Sequence, residues 1–351
     1  MSEPQVTVVV PSYNYERYLR QAVESAATQT DVDVEVVVVD NASTDGSLEL
    51  ARQLAAQYAC VRVVSFADNL GIVSSFNRCL ALPRGRYTVV LCADDRLTPG
   101  SLRRSVSFLD DHPGVGMVYG PVVQFGDSDS VAPSRLSRAA GEPVVYAGSD
   151  WVTSRCRTGR NALRAPEAMF RTAAQVAVGT YDENCPYTFD LNMWLRIAAN
   201  SDIGYLPGTP QALYRVHANN FSAGGFSTPL PDLEQHWAAF STFFDAAGSH
   251  PELTRWRALA RETMSQRARW AAARLLASAP TAGTAAEVAQ LLAMSESLAD
   301  KPLGRLKSLN LRIERRIGSK AMYLYPPFSL RLGFRAGRRL FTDWRKVRTG
   351  I

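Results

Sequence analysis

Five short runs of β-branched and aromatic residues, separated by helix-period stretches, occupy the first 125 residues of this 351-residue chain. No other feature constrains the fold as much. Residues 6–10 (VTVVV) end at Pro11, residues 35–39 (EVVVV) end at Asp40, and further runs lie at 61–65, 87–92 and 116–123. Continuous apolar runs this short suit strands buried on both faces of a parallel sheet beneath crossover helices. Residues 16–29 place Leu19, Ala22, Val23 and Ala26 on one helical face. The spacing predicts further helices near 47–58 and 71–81, the first preceded by the turn-and-cap run Ser43-Thr44-Asp45-Gly46, and Pro99 opens another. Ligands of such sheets bind at the carboxyl ends of the strands. Polar residues gather there: 12–14, 40–45, and Asp94 with Asp95.

Residues 126–147 are polar and read as a loop, and from 148 to 225 short helices and strands alternate. Within that stretch FDLNMWLRIAA (189–199) has a helix pattern, whereas IGYL and ALYRVH read as strands. After a Gly/Ser/Pro-rich break at 222–231 the pattern is helical, near 232–247, 251–279 and 284–299, with ARWAAARLLASA a strong helix former. The predicted organisation is a 1–225 domain, with halves 1–125 and 148–225, and a helical region at 226–351.

The net charge of +6 is unevenly placed. Residues 301–351 carry 14 Lys and Arg against Glu314 and Asp343, or +12, which leaves −6 for the first 300. A mildly acidic body argues against nucleic-acid binding by that part of the chain and leaves the basic tail open. Cys60, Cys79, Cys92, Cys156 and Cys185 show no paired spacing, which predicts a reduced, cytoplasmic setting. No apolar run approaches the roughly 20 residues that span a bilayer, and MSEPQ does not read as a signal peptide.

Asp94 and Asp95 follow the apolar run YTVVLCA. Adjacent carboxylates where a buried strand meets solvent repel each other and lose hydration, so they call for a cation or a hydrogen-bonding ligand. A hard divalent metal with oxygen ligands suits them and commonly brings phosphate with it. Taken alone, the pair also reads as a solvated strand-end turn.

Four ordered motifs carry a resemblance: PSYNYERYLRQAVESAATQ, VEVVVVDNASTDGSLELA, NLGIVSSFNRCL and RGRYTVVLCADDRLTPGSL. Over about residues 1–220 the chain resembles the family 2 inverting glycosyltransferases. The resemblance implies the GT-A nucleotide-diphospho-sugar transferase fold, an α/β architecture with a mostly parallel twisted sheet flanked by helices. It implies a UDP-sugar donor, a hydroxyl-bearing acceptor on a glycan, lipid-linked intermediate or natural product, and a manganese or magnesium ion.

Pro11, Tyr13 and Asn14 match the loop that wraps base and ribose, and Asp40 matches the carboxylate that accepts from the uracil ring N–H. Asn69 and Gly71 match the family's NxG element beside the nucleotide. Apart from the family, Asp40 also reads as a cap or turn residue, and Asn69 with Gly71 as a plain turn. Asp94 and Asp95 match the metal motif, whose first acidic position is here Cys92, so which carboxylate takes metal and which takes ribose stays open. Asp190 matches the general base, with Phe189 where the family has Glu; the other reading is a helix N-cap. His217 in YRVHANNFS matches a histidine that completes the metal shell, against the alternative of a satisfied lone histidine. Trp194 reads as core and Arg196 as core or acceptor contact. His112, His236 and His250 read as structural or solvent-facing. GVGMVYG (114–120) follows a helix, not a strand, which excludes a dinucleotide loop.

In the tail, Leu332, Phe334, Leu340, Phe341 and Trp344 oppose Arg331, Arg335, Arg338 and Arg345 on a helical wheel. Residues 320–351 therefore suit a peripheral contact with the inner face of a membrane, or a helix docked on the catalytic domain. Two rival functions remain: a catalytically idle sugar-nucleotide-binding member of the fold, suggested by Cys92 and Phe189, and a sugar-1-phosphate nucleotidyltransferase. The latter needs a Gly-rich basic loop after the first strand, which PSYNYERY is not.

Overall fold

The computed structural model describes residues 3–126, 131, 141–218, 220, 221, 228–277 and 282–299. These divide into two compact units, one holding residues up to 152 together with 161–220, the other holding 153–160 and the residues from 221 on.

The first unit is built on strands β1 (Val6–Ser12), β2 (Val34–Asp40), β3 (Val61–Ser65), β4 (Tyr87–Val90), β6 (Val115–Tyr119), β8 (Val144–Tyr146), β9 (Ala168–Arg171) and β10 (Asp202–Tyr205). Among the described residues they form an eight-stranded sheet in the order β3-β2-β1-β4-β9-β6-β10-β8. β1 pairs in parallel with β2 and β4, β2 with β3, and β6 with β10. β9 runs antiparallel between β4 and β6, and β8 antiparallel along β10. A second sheet, β5 (Arg96–Leu97), β11 (Ala212–Arg215) and β7 (Val122–Phe125), lies beside it in the order β5-β11-β7. This is the expected α/β class.

Both faces of the main sheet are covered. Val6, Val8 and Val10 of β1 join Val36 and Val38 of β2 against Leu19, Ala22, Val23 and Ala26 of helix α1 (Glu16–Ala27) and Leu54 of α2 (Ser47–Gln57). On the other face Val9, Val37 and Val39 meet Cys79 of α3 (Ile72–Leu80). The period of two in a strand sends alternate valines to opposite layers, so an unbroken valine run is the correct pattern here. Pro11 is tolerated inside β1 because odd-numbered residues face β4, where Val9 O accepts from Leu91 N, and the β1–β4 pairing has ended by Pro11.

Three expectations need amendment. The 116–123 run is two strands, β6 and β7, in different sheets. The break falls at Gly120-Pro121, where a Cβ on Gly120 would lie 2.7 Å from both Gln211 Cγ and Leu206 O. The 126–147 stretch contributes β8, and β9 occupies the middle of the sheet from the short run AMFR, which carries too little periodicity to announce itself. Helix α4 (Ser101–Asp111) begins two residues after Pro99. Further on come α5 (Gly148–Thr158), α6 (Thr172–Val178) and α7 (Phe189–Asn200).

The second unit contains α8 (Pro229–Ala246), α9 (Leu253–Ala277) and α10 (Ala282–Leu298), with Pro229 at the first helical turn. Leu233, Met264, Ala268, Ala272, Val288 and Leu291 form its core. Asp232 takes Arg267 Nη2 at 3.2 Å and His236 Nδ1 at 3.3 Å. His250 stacks on Trp256 at 4.3 Å, and His112 on Phe108 at 4.3 Å. No helix among the described residues is long and apolar enough to cross a membrane. Residues 320–351 lie outside the described residues.

Candidate active site

The carboxyl ends of β1 and β2 lie in register, Ser12 opposite Asp40. Asp40 is buried, and its Oδ2 accepts from Ser43 N at 3.1 Å, closing the turn that the sequence allows. Its Oδ1 and the Ser12 hydroxyl are also buried and have no partner among the described residues. Tyr13 emerges from the strand 40% exposed, leaving its ring available to a flat ligand.

Asn14 has a different position from a free ligand group. At φ 58° it donates its main-chain N–H to Ser43 Oγ at 3.0 Å, and its Oδ1 accepts from Thr44 N at 2.8 Å. Tyr15 N donates to Ser47 Oγ and Gly46 N to Glu16 Oε2, so the loops after β1 and β2 are sewn together. Burial works to raise the Asp45 carboxyl, but hydrogen bonds from the Ser47 hydroxyl and from the Ser47 and Glu16 N–H groups outweigh it and hold the group low.

Asn41, which motif reading passed over, is buried beside Asp40 and joins this loop to the Asn69 turn. Its Nδ2 donates to Asn69 Oδ1 at 3.0 Å and its Oδ1 accepts from Leu70 N at 3.0 Å. Asn69 Oδ1 also accepts from Gly71 N at 2.8 Å, and Gly71 sits at φ +76°, where a side chain would be strained.

β4 stops at Val90 and the chain turns, with Asp95 N donating to Cys92 O at 3.0 Å. β5 follows and pairs antiparallel with β11. That pairing returns Arg215 and His217 alongside Asp94 and Asp95. His217 Nε2 lies 3.0 Å from Asp94 Oδ2, and Asn220 Nδ2 donates to the same oxygen at 3.3 Å. The Tyr15 side chain hydrogen-bonds Asp94; burial, then the Asp94 charge, pushes the phenol well up, so it is the donor. Arg215 N donates to Asp95 Oδ1 at 2.8 Å, whereas Asp95 Oδ2 is buried without a partner among the described residues.

One ligand atom from each of Cys92, Asp94 and Asp95 lies within 4.8 Å of the others. Burial and the neighbouring Asp94 push the Asp95 carboxyl well up, against the opposing Arg215 N–H and the Arg164 and Arg215 charges. Burial and the charges of Asp95, Asp94 and Asp190 push the Cys92 thiol well up, which keeps it neutral. Two carboxyl groups, one with a buried oxygen that has no partner among the described residues, and an imidazole make a donor set that fits a divalent cation of the manganese or magnesium kind.

Asp190 is the second residue of α7, and the N-cap is Thr188. Its Oδ1 accepts from Leu191 N at 2.8 Å and its Oδ2 from Asn161 Nδ2 at 2.8 Å. The charge of Asp190 is among those that act on the Cys92 thiol, so the two groups lie near each other. Phe189 packs edge-on against Tyr181 (4.8 Å between centroids) and Phe76 (5.1 Å), a nest that a glutamate could not fill without stranding its charge. Trp194 is fully buried against Phe170. Arg196 donates to Val178 O and to Thr180 O, tying down the chain after α6.

Parallel β1 and β2 deliver Asp40, and the antiparallel β5–β11 pairing delivers His217 to the acidic turn after β4, within an α/β fold of the GT-A type. The glycosyl transferase family 2 model matches residues 7–177. EpsE of Bacillus subtilis is 30% identical over 220 residues, covering 62% of this chain and 75% of EpsE. The Mycobacterium tuberculosis protein Rv1520 is 28% identical over 240 residues, covering 66% of this chain and 63% of Rv1520. This chain belongs to glycosyl transferase family 2. Among solved structures, S. aureus TarS 1–349 in complex with UDP-GlcNAc superposes with a TM-score of 0.64 at 16% identity, covering 91% of each chain. The mannosyltransferase PcManGT from Pyrobaculum calidifontis, in complex with GDP-Man and Mn2+, gives 0.54 at 20% identity, covering 93% of this chain and 88% of that one. Both share the fold.

Proposed function

We propose that this chain is a metal-dependent, inverting glycosyltransferase that moves a sugar from a UDP-sugar to an acceptor hydroxyl, with Asp190 as general base. The observation that carries the reading is the buried Oδ2 of Asp95, which has no partner among the described residues, inside the cluster with Cys92 and Asp94 and beside His217. Asp94, Asp95 and His217 would hold a divalent cation, which would supply positive charge for the departing diphosphate.

Asp40 Oδ1, buried and free, accepts the uracil N–H, and the Tyr13 ring covers the base. Asp190 takes the proton from the acceptor hydroxyl as its oxygen bonds to the anomeric carbon. The bond from that carbon to the diphosphate breaks on the opposite face, and UDP leaves. TarS and PcManGT were captured with UDP-GlcNAc and GDP-Man respectively, which supports a nucleotide-sugar donor without deciding its base.

The test is thermal shift across a nucleotide-sugar panel with and without Mn2+. A UDP-sugar should stabilise the protein in a Mn2+-dependent way; no stabilisation by any nucleotide sugar would sink the reading. The idle-binder reading is favoured by one observation, that both oxygens of Asp190 already accept hydrogen bonds. Mn2+-dependent release of UDP from the stabilising donor excludes it. Membrane contact by residues 320–351 belongs to the proposal, and liposome binding that survives their deletion rejects it.

A further inference from the structure

Arg215 is fully buried, and every part of it reaches a different piece of the acidic turn's surroundings. Its main-chain N–H goes to Asp95 Oδ1 at 2.8 Å. Nε donates to Asp94 O at 2.9 Å, and Nη2 donates to Gln21 Oε1 of α1 at 2.7 Å. Its carbonyl accepts from Asn220 Nδ2 at 3.1 Å, the same amide that contacts Asp94 Oδ2. The guanidinium lies 4.5 Å from the Tyr18 ring centroid and 4.4 Å from that of Phe125.

We propose that Arg215 is the positioning residue that holds the Asp94–Asp95 turn in its cation-binding form, and that Gln21 holds Arg215. The inference rests on the metal-dependent reading above. Two carboxylates side by side out of water drive each other apart, and without a cation something else must hold them. The main-chain bond occupies Asp95 Oδ1 and leaves Oδ2 as the free oxygen. The Nε bond pins the Asp94 carbonyl, and with it the direction in which that side chain leaves the turn. The main-chain bond does not depend on the side chain, but only a planar, forked cation between two aromatic faces reaches Asp94 O and Gln21 Oε1 together; a lysine has the charge without the fork. Gln21 reaches the guanidinium from the helix that follows the nucleotide loop, so the base-binding and acidic loops share one brace.

The experiment measures Mn2+ affinity of the full chain by the loss of the free-Mn2+ EPR signal, beside donor KM and kcat, for Arg215→Lys, Gln21→Met and Gln21→Glu. Arg215→Lys should weaken Mn2+ binding about tenfold or more and raise donor KM, while kcat at saturating metal and donor stays within about threefold. Gln21→Met should weaken Mn2+ binding severalfold, and Gln21→Glu, which keeps an acceptor for the guanidinium, should restore it. A brace with no bearing on the metal would lower the melting temperature and leave Mn2+ affinity alone. If Gln21→Met binds Mn2+ as the wild type does, the proposal is wrong even should Arg215→Lys fail to fold. If the wild-type chain itself binds no Mn2+, the metal reading falls and this inference falls with it.

Discussion

Arg215 donates its main-chain N–H to Asp95 Oδ1 at 2.8 Å although 120 residues separate the two in sequence. The contact exists because β5, immediately after the acidic turn, pairs antiparallel with β11, whose last residue is Arg215. His217, two residues further on, is thereby delivered to Asp94. The acidic turn and its basic partners are thus assembled by a three-stranded sheet outside the main one.

Replacing Asp190 with Asn removes the proposed proton acceptor and keeps the side chain's shape, at the cost of one of its two accepted hydrogen bonds, because an amide NH2 donates and cannot accept. The expected result is a fall in kcat of about 10²–10⁴-fold with UDP affinity unchanged. Steady-state kinetics with calorimetric UDP binding checks both. Asn161→Ala, which deletes the donor to Asp190 Oδ2, should give a smaller kcat loss of about tenfold.

Asp40→Ala removes a buried carboxylate whose second oxygen has no protein partner among the described residues. A charge-assisted bond to a base N–H is worth about 1.5–3 kcal/mol, so UDP should bind on the order of 10–100-fold more weakly. Calorimetry with UDP decides it, and unchanged affinity removes Asp40 from the base site.

Cys92→Asp restores an acid at the first position of the acidic motif and adds a third carboxylate to a buried cluster. Like charges out of water repel. The metal-free variant should melt several degrees lower than the wild type, and added Mn2+ should raise its melting temperature by more than it raises that of the wild type. Differential scanning fluorimetry at several Mn2+ concentrations reads both effects.

In the helical unit, burial works to raise the Asp232 carboxyl, but the His236 hydrogen bond and the charges of His236, Arg267 and Arg160 outweigh it and hold the group low. A carboxyl with a lowered folded-state pKa stabilises above the ordinary carboxylate range, and the contribution is lost as pH falls through its folded value. Asp232→Asn should therefore melt below the wild type at pH 7, with the gap closing as pH falls below the ordinary carboxylate range. Melting curves across pH follow it, and a gap that persists in acid contradicts the assignment.

Much of the architecture could be read from local pattern. The valine runs of β1 and β2 announce a doubly covered sheet, and the alanine-rich stretch of α9 announces a helix. β9 could not be read this way: four residues, AMFR, fill the centre of the sheet between β4 and β6 because those strands present open edges there. The 116–123 run looked like one strand because hydrophobicity does not report which of two sheets a strand joins.

At the candidate site, Asp94 and Asp95 stand out as adjacent carboxylates where a buried strand ends, whereas Asp40, Asp190 and His217 could be picked out by their match to the motifs of the family. Asn41, Asn161 and Gln21 could not, since a side-chain amide carries no sign of what it will bond until its partner is beside it. Arg215 was visible in YRVH, but nothing local indicates a buried arginine.

The order of residues alone determined the strand-and-helix alternation and which acidic groups end up at strand exits, since both follow from short-range periodicity and turn chemistry. Only the tertiary structure decided which oxygens of those acids remain free. That depends on donors such as Arg215 N, Ser43 N and Asn161 Nδ2, which reach them from other segments of the chain once the sheets have formed.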